Sequence, residues 1–138
     1  MTNNPYQKYK NAQYETASPE QLLLMLYNGA IKFGRQAKEA LENGDIQLSN
    51  NRLKRVQAII SELIVTLDME KGGEIAENLY SLYEYMNRRL IQANIRKDSE
   101  IVEEVLGLLQ DLKEGWEDAI KQLKPGQMRR NGNLSIHR

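Results

Sequence analysis

The chain has no cysteine. Disulfides and thiolate metal sites are therefore excluded. Histidine occurs once, as His137, next to last in the sequence. A Ser-His-Asp or Cys-His catalytic set has no usable histidine, and the paired Glu-x-x-His motifs of a di-iron bundle cannot be supplied. Net charge is absent as well: Lys+Arg and Asp+Glu both count 19. No global field steers the chain to nucleic acid or to an anionic membrane. No run approaches the roughly 18 apolar residues of a membrane span. The N-terminus, MTNNPYQKYKNAQYETA, has no apolar segment of the secretory kind. Neither G-x-x-x-x-G-K-[ST] nor G-x-G-x-x-G is present. The carboxylates are scattered among lysines and arginines, as on solvated helical faces. These observations point to a cytoplasmic protein without cofactor, metal or catalytic centre.

What is present is helical periodicity over a length suited to one domain. Residues 1–17 form a polar arm bearing Tyr6, Tyr9 and Tyr14. Ser18 then offers an N-cap, Pro19 suits the first helical position, and Gln21 closes an S-x-x-Q capping box. Two adjacent stripes follow, Leu22, Leu26, Gly29, Phe33, Ala37 and Leu23, Tyr27, Ala30, Gly34, Leu41, giving a wide apolar face. Gly29 and Gly34 each cost roughly 1 kcal/mol in a helix; close approach of a neighbouring helix or of a bound chain would compensate. Asn43-Gly44 ends this helix.

Asp45 or Ser49 caps a second helix whose seam runs Leu53, Val56, Ile60, Leu63, Leu67. Gly72-Gly73 breaks the chain, and a third helix spans about Glu74 to Lys97. Asp98 or Ser99 caps a fourth, with Val102, Val105, Leu109, Leu112, Trp116, Ala119 and Leu123 repeating by three and four. Pro125-Gly126 stops it. The expected architecture is all-α: an antiparallel up-down four-helix bundle over residues 18–124, with the arm before it and a disordered tail at 125–138.

The first and third helices carry more apolar residues than a bundle core requires. The surplus includes Met25, Tyr27, Ile31, Tyr80, Tyr83 and Tyr85. Either these helices are deeply buried, or they leave grooves in which another helix can lie. The arm tyrosines have nothing local to pack on and could cover such a groove as a lid.

The stretch Thr16-Ala17-Ser18-Pro19-Glu20-Gln21-Leu22-Leu23-Leu24-Met25-Leu26-Tyr27-Asn28-Gly29-Ala30-Ile31 resembles the T-A-S-P-x-x-L-x-x-M-L-Y-[DN]-G-A-I signature of flagellar secretion chaperones of the FliS type. A second matching block runs from Leu79 to Leu90 and on to Ala93-Asn94, and a weaker one from Trp116 to Ile120. The resemblance implies a helical bundle that binds the disordered C-terminal segment of flagellin in the cytoplasm, prevents premature polymerisation, and presents flagellin to the export gate of the flagellar type III apparatus. It also implies an arm that moves aside, with Tyr6, Tyr9 and Tyr14 as lid residues. Leu22, Met25, Leu26, Tyr27, Ile31, Tyr80, Tyr83 and Met86 are then expected to line the binding groove. Arg88, Arg89 and Asn94 are expected to orient the bound chain. The competing expectation is a self-associating structural bundle, a homodimer without a client.

Overall fold

The computed structural model describes residues 16–123. The expected lid residues Tyr6, Tyr9 and Tyr14 and the expected tail lie outside the described residues. Within them the chain forms four helices: α1 (Pro19–Glu42), α2 (Ile46–Val65), α3 (Met69–Arg96) and α4 (Ser99–Lys121). No strand occurs among the described residues.

Local chemistry sets each boundary. Gln21 N–H donates to Ser18 Oγ at 3.2 Å, and Ser18 N–H donates to Gln21 Oε1 at 3.0 Å, completing the capping box with Pro19 at the first helical position. Gly44 turns the chain out of α1 with φ +74°, a conformation that favours glycine. Asp45, rather than Ser49, caps α2 by accepting from Leu48 N–H at 3.1 Å; Ser49 is buried and donates to Ile46 O.

Asp68 caps α3, accepting from Glu70 and Lys71 N–H. It starts one helical turn earlier than periodicity implies. Gly73, at φ 57° and ψ −135°, then breaks the helical path where the glycine pair stands. Lys97 adopts the left-handed conformation that ends α3, and Asp98 N–H reaches back to Ala93 O at 3.1 Å. Asp98 then caps α4 by accepting from Glu100 N–H.

The helices alternate in direction and enclose one core. α1 packs on α2 and α4, and α3 closes the ring by packing on the same two. Leu53, Val56, Ile60 and Leu63 of α2 meet Leu79, Met86 and Leu90 of α3 and Val102, Val105 and Leu109 of α4. The two glycines of α1 serve neighbouring helices. A β-carbon on Gly34 would lie 2.7 Å from Leu106 Cδ2 of α4, and one on Gly29 would lie 3.3 Å from Ile59 Cδ1 of α2. Arg55 lies 5.1 Å from the centroid of the Phe33 ring, a further tie between α1 and α2.

Candidate functional site

Exposed greasy surface is confined to half of the bundle. Among the described residues, every exposed large hydrophobic belongs to α2 or α3. The seam between those two helices is marked by polar contacts. Asn94 Nδ2 donates to Asn50 Oδ1 at 2.7 Å, and Asn87 Nδ2 stands 3.5 Å from Ser61 Oγ. Helical spacing puts Tyr80, Asn87, Ile91 and Asn94 on one flank of α3, and Ile46, Asn50, Ser61 and Ile64 on the facing flank of α2. Tyr80 (41%), Ile91 (48%) and Ile46 (64%) are exposed along this seam. Ile95 and Val65, one turn beyond Ile91 and Ser61, extend it to 77% and 74% exposure. Asn87 Oδ1 is buried without a partner. An unmet acceptor of this kind costs about 1–3 kcal/mol, so the seam is held less well than the core beneath it.

The expected groove residues divide by burial. Tyr80 is on the exposed seam. Leu22, Met25 and Leu26 are half-buried on α1; Met25 lines an open concavity of about 460 Å³ with Gln21, Leu24 and Asn28. Tyr27, Tyr83 and Met86 are fully enclosed, and Ile31 is nearly so. These four are core residues, because the inner faces of α1 and α3 are each consumed by contact with α2 and α4. Tyr27 and Tyr83 hydroxyls are 2.5 Å apart across the bundle, and Trp116 Nε1 donates to Tyr27 Oη at 3.3 Å. Burial pushes both phenols up from their ordinary pKa, so both are neutral donors. Two hydroxyl protons and one indole proton share two hydrogen bonds, leaving one hydroxyl proton without an acceptor among the described residues.

The expected orienting residues also divide. Arg88 is exposed and lies 3.9 Å from Glu84 one turn back on α3. Arg89 is half-buried and tied to α4: its Nε donates to Glu104 Oε1 at 2.8 Å and its Nη1 to Gln92 Oε1. Tyr85 donates to the other oxygen of Glu104 at 2.5 Å. The Tyr85 hydroxyl, and then Arg89, hold the Glu104 carboxyl below the usual carboxylate range. Asn94 is engaged by Asn50 and by Lys97. Arg89 and Asn94 therefore clasp α3 to its two neighbours. No group of three or more His, Cys, Asp or Glu placed to hold a metal ion occurs among the described residues. No described helix is long and apolar enough to cross a membrane.

The family model described as "Flagellar protein FliS" matches residues 2–123. The chain belongs to the FliS family. It is 42% identical over 118 residues to the flagellar secretion chaperone FliS of Bacillus subtilis, covering 86% of this chain and 87% of that one. The Salmonella typhimurium flagellar secretion chaperone FliS is 47% identical over 111 residues, covering 80% and 79%. The fold matches a crystal structure of a bacterial flagellar chaperone with TM-score 0.72, at 19% identity, over 86% of this chain and 100% of that one. As a FliS-family member the chain falls among chaperones of flagellar export.

For this FliS-family chain, Ile46, Val65, Ile91 and Ile95 are exposed apolar residues outside the expected groove set. Their signal was present but weak. Each is a β-branched apolar residue off the core stripe of its own helix, and only the neighbour's position shows that the stray residues of α2 and α3 share one exterior face.

Proposed function

We propose that the chain is a cytoplasmic export chaperone that holds the disordered C-terminal segment of flagellin along the outer face of α2 and α3, keeps it from polymerising, and delivers it to the export gate of the flagellar type III apparatus. The observation that supports this reading is the confinement of exposed large hydrophobics to those two helices. An amphipathic helix of the client would place its apolar stripe over Tyr80, Ile91 and Ile46 and leave its polar side in water. Ordering a disordered segment costs on the order of 2–5 kcal/mol. Full burial of one large apolar side chain contributes about 1.5–3 kcal/mol, so three or four such anchors offset that cost. Once they are occupied, the client's apolar residues are withheld from self-assembly. In this reading the arm tyrosines Tyr6, Tyr9 and Tyr14 cover part of the same face until flagellin displaces them. Half-buried Leu22, Met25 and Leu26 extend the contact where the arm joins α1.

Calorimetric titration with the flagellin C-terminal segment tests the proposal. Ile91→Asp should weaken binding about tenfold or more, a loss of about 1.4 kcal/mol per tenfold, while leaving the melting curve in place. Unchanged affinity would remove the α2–α3 face from the site. A stable homodimer by light scattering that ignores the peptide would favour the self-associating bundle instead.

A further inference from the structure

At the end of the bundle where α2 passes into α3, a second apolar surface lies outside the α2–α3 seam. Met69 and Ile75 are exposed at 44% and 58%. Ile75, Leu82 and Arg89 are spaced by sevens, so they share one flank of α3. That flank faces α4, because Arg89 donates to Glu104 there. The same contact sets the antiparallel register. Two heptads back along α3 from Arg89 is Ile75, and two heptads forward along α4 from Glu104 is Asp118. Ile75 therefore stands beside the last turn of α4, which ends at Lys121. The groove is open at that level: a β-carbon on Gly115, three turns after Glu104, would meet nothing within 4 Å.

The chain leaves the bundle at this point and continues through residues 124–138. That segment combines Met128, Leu134 and Ile136 with Lys124, Arg129, Arg130 and Arg138, and contains no Asp or Glu. The surface beside Met69 and Ile75 has the opposite character, with Asp68, Glu70, Glu74 and Glu77 against a single Lys71. An extended chain covers about 3.3 Å per residue, so Met128 reaches Ile75 easily and Leu134 and Ile136 reach Met69.

We propose that residues 124–138 fold back into the α3–α4 groove and dock Met128, Leu134 and Ile136 over Ile75 and Met69. The arginines lie against the acidic residues at the start of α3. The occupant of this surface is the chain's own basic segment, acting as a strap over the α2–α3 end of the bundle. The strap does not depend on flagellin binding, and it leaves the Tyr80–Ile91 seam free.

The absence of cysteine allows a direct test in the full chain. A nitroxide on Ser135→Cys should erase most of the amide signal intensity from Met69 to Glu77 in an isotope-labelled sample. Ile46 and Leu48, at the opposite end of α2, should keep theirs. Adding Arg129→Glu with Arg130→Glu should restore the lost intensity, and adding Glu70→Arg with Glu74→Arg to that pair should erase it again. Ile75→Ser, a change at an exposed position, should restore intensity without shifting the melting temperature. Undiminished signals at the start of α3 would overturn the proposal, as would intensity that Ile75→Ser fails to restore. The same loss seen when a spin-labelled chain without isotope is mixed with an isotope-labelled chain without nitroxide would also overturn it, because the occupant would then be a second copy.

Discussion

Where α1 meets α4, a missing side chain lets Leu106 approach so closely that a β-carbon on Gly34 would lie 2.7 Å away. Where α2 meets α3, asparagines span the gap, and one of their oxygens has no partner. The exteriors differ in the same sense. The α1–α4 groove is polar, an open trench of about 470 Å³ lined by Asn28, Lys32, Arg35, Gln110 and Lys113, and Lys38 bridges it to Glu103 at 3.1 Å. The α2–α3 exterior carries exposed isoleucines and a tyrosine. A bundle of this size has enough apolar residues to close one side tightly. Here α1 is the helix that uses its surplus inward, and α3 is the helix that keeps some outside. Tight packing and exposed apolar surface thereby fall on different sides of the bundle.

The largest expected effect tests that separation. Tyr83→Ala removes an aromatic ring that is fully enclosed and should cost about 3–5 kcal/mol in urea unfolding. Ile91→Ser, two turns further along the same helix but outside, should stay within about 0.5 kcal/mol. If the two costs are similar, the contrast between core and exterior on α3 is wrong. Gly34→Val comes next. It forces branched bulk against Leu106, and overpacking should cost about 1–3 kcal/mol. A stabilised variant would mean that α1 and α4 can separate freely, and that the tight side is not tight.

Much of this was readable in the residues. The capping box at Ser18, the break at the glycine pair and the seam of α4 follow from chemistry local to a few positions, and local chemistry survives folding. The family block around α1 was readable too. Which flanks of α2 and α3 stay exposed was not. Tyr27 and Tyr80 are both tyrosines beside a core stripe, yet one is sealed inside and the other lies 41% exposed. The difference is set by which helices flank each one, a property of the assembled ring. The place of Ile91 and Ile95 on one exposed face depends in the same way on Ile46 and Val65 of another helix.

The tyrosine pair gives a finer comparison between α1 and α3. Tyr27 accepts from Trp116 as well as bonding to Tyr83, so Tyr27→Phe strands two donors at once. Tyr83→Phe leaves the Trp116 bond intact and leaves one unpaired hydroxyl proton, as before. Tyr27→Phe should therefore cost about 1–3 kcal/mol, and Tyr83→Phe no more than about 1 kcal/mol. Equal costs in thermal unfolding would mean that the unmatched proton has an acceptor in solution, such as a buried water.

The smallest expected effect lies on the clasp between α3 and α4. The Glu104 carboxyl is held below its ordinary value of 4.5 by the Tyr85 hydroxyl and by Arg89. A lowered folded-state pKa means that the unfolded chain takes up the proton first as pH falls. The clasp's contribution is then fully present above about pH 4.5 and is lost as pH drops through the lower folded value. Glu104→Gln removes that carboxylate, so the melting temperatures of the parent and the variant should differ at pH 6 and draw together as the pH falls below 4.5. The side chains of Glu104 and Arg89 are 37% and 28% exposed, so water and salt screen the pair and the difference at pH 6 should be small. A gap that does not shrink as the pH is lowered would show that glutamine disturbs packing, and that the charge on Glu104 contributes nothing to holding α3 against α4.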